Sequence, residues 1–86
     1  MFAVVFKPSA QKELERLPAA VVKKIAAVIE QLALTPRLRG AKKLKGQSEN
    51  LWRIRVGDYR IVYLIADQIQ LLEIRKIGHR KDVYRF

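Results

Sequence analysis

An α+β fold is what the chain's patterning predicts: an N-terminal strand, a helical hairpin, then a mainly antiparallel sheet. Apolar residues recur with a helical period between Pro8 and Thr35, and they alternate with period two from Leu51 onward. Prolines or glycines punctuate most changes of pattern. With 86 residues, half of them apolar, there is room for one domain over 1–86 built on one modest core.

Taking the elements in order, Phe2-Ala3-Val4-Val5-Phe6 is a β-rich run halted by Lys7-Pro8, and reads as a first strand. Pro8 and Ser9 suit a helix start, and Ala10, Leu14 and Leu17 follow at helical spacing until Pro18. From Ala19 a second apolar stripe runs through Val21, Val22, Ile25, Val28, Ile29 and Leu32, closed by Thr35-Pro36. Two helices with so short a break are expected to form a hairpin packed on one side of a sheet. Lys43-Leu44-Lys45 is a weak strand candidate ended by Gly46. Leu51 to Val56 and Tyr59 to Ala66 are strong strands around Gly57-Asp58, a tight hairpin turn. A turn at Asp67-Gln68 leads to a last strand from Ile69 to Ile77.

Charge is the loudest compositional feature: 18 Lys and Arg against 8 Asp and Glu, a net +10. Five basic and three acidic residues precede Arg37, whereas thirteen basic and five acidic residues follow from it. A one-sided excess of this kind is the footprint of a polyanion partner, with an acidic protein as the other source of neutralisation. Arg37, Arg39, Lys42, Lys43 and Lys45 make an acid-free cationic segment suited to gripping an RNA backbone. Cysteine is absent, which excludes disulfides and thiolate metal sites. A lone histidine, His79, excludes the usual zinc cluster, so neither metal nor cofactor is expected. No apolar stretch approaches bilayer length and no basic leader precedes one, so no membrane association and a cytoplasmic location are expected.

If Gly57-Asp58 is the turn, Val56 faces Tyr59, Arg55 faces Arg60, Ile54 faces Ile61, Arg53 faces Val62 and Trp52 faces Tyr63. Trp52, Ile54, Val56, Tyr59, Ile61 and Tyr63 then line the core, joined by Leu72 and Ile74, with the aromatics as packing residues. The opposite face gathers Arg53, Arg55 and Arg60, with Glu73 and Arg75 beside them. Like charges directly across a ladder are destabilising, so the Arg55–Arg60 pair reads as a site retained for function. Arginine's rigid fork of donors matches phosphate oxygens. An ordinary solvated sheet face is the structural alternative.

The segments Pro8-Ser9-Ala10 through Leu17, Leu44-Lys45-Gly46, Trp52-Arg53-Ile54-Arg55-Val56, Asp58-Tyr59-Arg60-Ile61-Val62-Tyr63 and Gly78-His79-Arg80 with Tyr84 together resemble the RelE toxins. These belong to the RelE/ParE superfamily of type II toxin–antitoxin systems. The resemblance covers nearly the whole chain and is most specific over Tyr59 to Tyr63. It implies a RelE-like fold and a toxin that enters the ribosomal A site and cuts messenger RNA, and it implies a cognate antitoxin with an acidic, amphipathic segment. Arg53 and Arg55 match two strand positions that are lysines in a well-studied member, and Arg60 and Arg80 match active-site arginines. Tyr84 is similar to a catalytic C-terminal tyrosine, with a gap from Arg80 two residues shorter. In such chemistry the arginines would stabilise a phosphorane as a cationic clamp. His79 and Tyr84 are the candidates for proton transfer. Two other readings remain open: a ParE-like gyrase inhibitor without nuclease activity, and a non-catalytic basic RNA-binding module.

Overall fold

The computed structural model describes residues 1–79, with elements β1 (Ala3–Phe6), α1 (Pro8–Glu15), α2 (Ala19–Leu34), β2 (Lys42–Lys43), β3 (Leu51–Val56), β4 (Tyr59–Ala66) and β5 (Leu71–His79). The strands form one sheet in the order β1-β5-β4-β3-β2. Only β1 is parallel to its neighbour, because the helical hairpin carries the chain away before β5 returns beside it. This is the mixed architecture expected from the patterning.

Prolines set the helix boundaries. Pro8 occupies the first helical position behind an extended Lys7, and no side chain caps that end, so Ser9 is not the cap. Pro18 precedes α2 and its carbonyl accepts from the N–H groups of Val21 and Val22. Ala10, Ile25, Ile29 and Leu32 from the helices pack against Ile54, Ile61, Tyr63, Ile65, Leu72, Ile74 and Ile77 of the sheet. The helices therefore cover one face of the sheet, here called the inner face.

The β3–β4 hairpin has the register read from its turn, including Arg55 opposite Arg60 and Trp52 opposite Tyr63. Gly57 takes φ +60° while Asp58 does not turn positive, the pattern of a turn that wants glycine first. Other boundaries move. The β2 pairing is Lys42–Lys43 rather than Lys43–Lys45, because the chain turns away after Leu44 N–H reaches the Leu51 carbonyl (2.9 Å). β5 begins at Leu71 rather than Ile69, because residues 67–70 form a longer turn with Gln70 at φ +50° and Ile69 exposed.

β5 also departs from simple alternation. Tyr63 pairs with Ile74 but Val62 pairs with Lys76, so Arg75 is an extra residue, a β-bulge. The insertion turns Ile77 inward, where it is 1% exposed, and sets Gly78 opposite Arg60 and His79 opposite Tyr59. Glu13 of α1 accepts from the Ile77 N–H (3.0 Å) and lies 3.7 Å from Lys76 Nζ, holding β5 just past the bulge where β1 no longer pairs with it.

Tyr63 is fully buried and its hydroxyl donates to the Pro36 carbonyl (2.7 Å), tying the end of the helical layer to the sheet. Burial pushes its pKa up to about 12. The folded chain thus keeps a proton that the unfolded chain loses near pH 10. The stabilisation is complete below about pH 10 and fades as pH rises towards 12. Tyr63→Phe is expected to cost about 1–2 kcal/mol at pH 8. The gap between wild type and variant should shrink by pH 12, as read by urea unfolding. A gap constant over that range would show the hydroxyl to be ionising normally.

Candidate nucleic-acid interface

The face of the sheet away from the helices is divided in two. Towards one end, Glu49 in the loop before β3 reaches Arg75 on β5 with a paired contact (2.8 and 3.1 Å), and Glu73 bonds the same guanidinium. Leu51 and Val62 are buried on that end, 2% and 1% exposed. Arg75 holds the Glu49 carboxyl below its ordinary range, so this tether persists at neutral pH and loosens only as pH falls through that lowered range. Arg75, placed by sequence on the arginine face, is thereby neutralised.

The other end stays open as a cleft of about 320 Å³ lined by Gly40, Lys42, Arg53, Ile54, Arg55 and Arg60. Alternation on β3 and β4 brings the three arginines together, and the Lys42–Arg53 pairing adds the amine from β2. Arg55 is exposed and its Nε donates to the Gly57 carbonyl (2.9 Å), which aims the guanidinium along the hairpin turn. Arg60 is half-buried, with Nε and Nη1 shielded from solvent, and the bulge leaves side-chain-free Gly78 as its neighbour on β5. Among the described residues no carboxylate forms an ion pair with Lys42, Arg53 or Arg55. The cleft is a concentrated, open cationic surface with forked donors, suited to phosphate oxygens.

The cationic segment before β3 does not act as one unit. Arg37 makes a two-pronged contact with Asp67 (2.9 and 3.1 Å) and lies over the Trp52 ring, 5.2 Å from its centroid. That hydrogen-bonded pair lowers the Asp67 pKa. Arg37 is thus a tether between two loops, with its guanidinium engaged by Asp67 while remaining half-exposed. Lys43 pairs across from Trp52 on the inner face, whereas Lys42 enters the cleft. Arg39 and Lys45 are exposed.

His79 does not share the cleft. It stands opposite Tyr59, with the two rings in edge-to-face contact at 5.8 Å, on the inner side of the sheet. The bulge is the cause, since it inverts the side-chain sense of everything after Arg75. Trp52 and Tyr63 serve as packing residues, with Trp52 Nε1 donating to Asn50 Oδ1 (2.9 Å) and Asn50 in turn holding the Ile65 carbonyl (3.1 Å). Arg80 and Tyr84 lie outside the described residues. Glu13 and Glu49 are structural supports of this face that periodicity did not reveal, because their partners are 64 and 26 residues away.

Comparison with known proteins adds a consistent result. Residues 4–84 match the family model described as ParE toxin of type II toxin–antitoxin system, parDE. A putative toxin RelE1 of Methanocaldococcus jannaschii is 34% identical over 77 residues, covering 86% of this chain and 84% of that one. Toxin RelG of Mycobacterium tuberculosis is 33% identical over 88 residues, covering 98% and 97%. In structure, the chain is similar to the archaeal RelE in its RelE–RelB complex from Pyrococcus horikoshii OT3, with TM-score 0.82, 28% identity, and 92% and 94% of the two chains covered.

Proposed function

The chain belongs to the RelE/ParE family of type II toxin–antitoxin toxins, and from that premise we propose that it is a ribosome-dependent endoribonuclease cutting messenger RNA in the ribosomal A site. The observation that carries this reading is the open cleft, in which three arginines and a lysine converge without a carboxylate ion pair to Lys42, Arg53 or Arg55 among the described residues. A stable fold gains nothing from setting Arg55 across from Arg60, whereas a phosphorane carrying extra negative charge is stabilised by such a clamp. Arg53, Arg55 and Arg60 are assigned to the clamp. Arg80 joins it, and Tyr84 is the candidate for proton transfer, both on the resemblance of their sequence positions, whereas His79 is turned to the other face. Arg39, Lys42 and Lys45 add phosphate-neutralising charge along the approach.

On this reading the chain works in the cytoplasm, on ribosomes and messenger RNA, and needs no cofactor. Its counterpart is a cognate antitoxin, as in the RelE–RelB complex it resembles. An acidic, amphipathic antitoxin segment laid over the cleft would neutralise the cations and block RNA at once. The matched family model is described by ParE toxins, so a ParE-like block of DNA gyrase is the second reading. One experiment separates them. Purified toxin is added to a translation reaction, with primer extension on the message and a parallel gyrase supercoiling assay. Cleavage within codons at the A site is the expected result. Arrested supercoiling with intact message would establish the second reading, and ribosome binding with neither effect would leave a binding module.

A further inference from the structure

Helix α1 buries one stripe, with Ala10 fully enclosed and Leu14 and Leu17 packed against the core. Glu13 falls on that stripe, three residues after Ala10 and next to Leu14. An apolar residue would serve packing better there, and a half-buried carboxylate needs bonding partners to be tolerated. Glu15, exposed on the same helix, takes a hydrogen bond from its neighbour Gln11 (3.2 Å). Glu13 instead takes the backbone N–H of Ile77 (3.0 Å), 64 residues on, with Lys76 Nζ 3.7 Å from its other oxygen. The stretch it holds has few other supports. β1 pairs with β5 only as far as Ile74, and the bulge at Arg75 follows. From Lys76 to His79 the chain pairs, among the described strands, with β4 alone. Gly78 lies in that stretch, and glycine weakens a strand interior. Yet these residues carry the pairing of Gly78 with Arg60, whose guanidinium lines the cationic cleft.

We propose that Glu13 is a positioning residue for RNA cleavage, an inference that rests on the ribonuclease reading above. Its carboxylate stands where β1 would have continued and holds the end of β5 from the side opposite β4. Held on both sides, Lys76 to His79 keep one register, and Arg60 keeps one setting between Arg55 and Gly78. Glu13 touches no RNA in this role. It acts through Ile77 and Gly78 on the charge that Arg60 presents to the phosphate. The acceptor oxygen is the working part, and the contact to Lys76 is secondary. A clamp displaced by about 1 Å can lose on the order of 100-fold in rate, so a support two strands away from the substrate is enough to matter.

The test compares three variants of the full-length toxin in single-turnover cleavage on programmed ribosomes, with ribosome affinity measured in parallel. Glu13→Ala removes the acceptor and is expected to slow cleavage about 10- to 100-fold with affinity unchanged. Glu13→Gln keeps an oxygen that can accept from the Ile77 N–H, and should stay within about threefold of wild type. Lys76→Met, which spares that bond, should do the same. Native-state hydrogen exchange reads the cause: the Ile77 amide should exchange at least about tenfold faster in Glu13→Ala and hardly faster in Glu13→Gln. Urea unfolding confirms that each variant is fully folded at the assay temperature. A wild-type rate for Glu13→Ala would overturn the assignment while the ribonuclease reading stands. So would a Glu13→Gln as slow as Glu13→Ala, or a loss that lies wholly in ribosome affinity. A wild-type toxin that cuts no message would instead bring down the ribonuclease reading, and the positioning role with it.

Discussion

On programmed ribosomes the wild-type chain is expected to cut messenger RNA at least 10⁵-fold faster than it cuts the same RNA free in solution, on the scale of orientation effects. The reason lies in what the cleft contains. Its described lining offers cations for phosphate on an open sheet face and includes no aromatic platform or carboxylate to fix a ribose and its neighbouring phosphate in line. A flexible RNA strand can bind such a surface in many poses, few of which align the 2′-oxygen with the bond to be broken. Holding reactants in an attacking geometry is worth roughly 7–11 kcal/mol, and on the proposed reading the ribosome supplies it. The measurement is the single-turnover rate at equal toxin concentration with and without ribosomes. Free RNA cut within tenfold of the ribosomal rate would place substrate orientation in the toxin itself.

Arg60→Ala is expected to lower cleavage by about 100- to 1000-fold and to remove growth inhibition on induced expression, the scale of losing a preorganised charge at a transition state. Arg60 is half-buried with two guanidinium nitrogens shielded, flanked by Arg55 on one strand and Gly78 on the other. A charge held in that setting is oriented before the substrate arrives, unlike the exposed Arg55. The folded state should survive, since loss of a like-charge cross-strand pair returns roughly 0.2–1 kcal/mol. Urea midpoint and antitoxin binding check that point, and Arg60→Met, which keeps the stem, guards against a packing defect. Undiminished toxicity in either soluble variant would dismiss the cationic clamp.

Much of this architecture was legible in the chain because its signals are local. Pro8, Pro18 and Pro36 bound the helices, and the Gly57-Asp58 turn determines which residue of β3 faces which residue of β4. The arginine cluster followed from that arithmetic alone. What escaped depends on distant partners. Arg37 reads as a free cation until Asp67, 30 residues on, is brought beside it. Lys42 and Lys43 look equivalent until pairing with β3 sends one into the cleft and the other to the inner face. The bulge did leave a trace: Ile74-Arg75-Lys76-Ile77 puts two consecutive cations between two buried isoleucines, which strict alternation cannot satisfy. That interruption is what an inserted residue looks like in one dimension.

The bulge gives the end of the sheet a property resembling a reading frame. Substitution at Arg75 or Lys76 changes one side chain, but deletion of either would shift the parity of every residue behind it in β5. Ile77 would leave the core and His79 would swing into the cationic cleft. Gly78, now paired with Arg60, would turn inward. Relatives of this chain should therefore differ freely in composition here yet keep the count of residues between Ile74 and Ile77, because length, more than identity, decides which chemistry reaches the cleft.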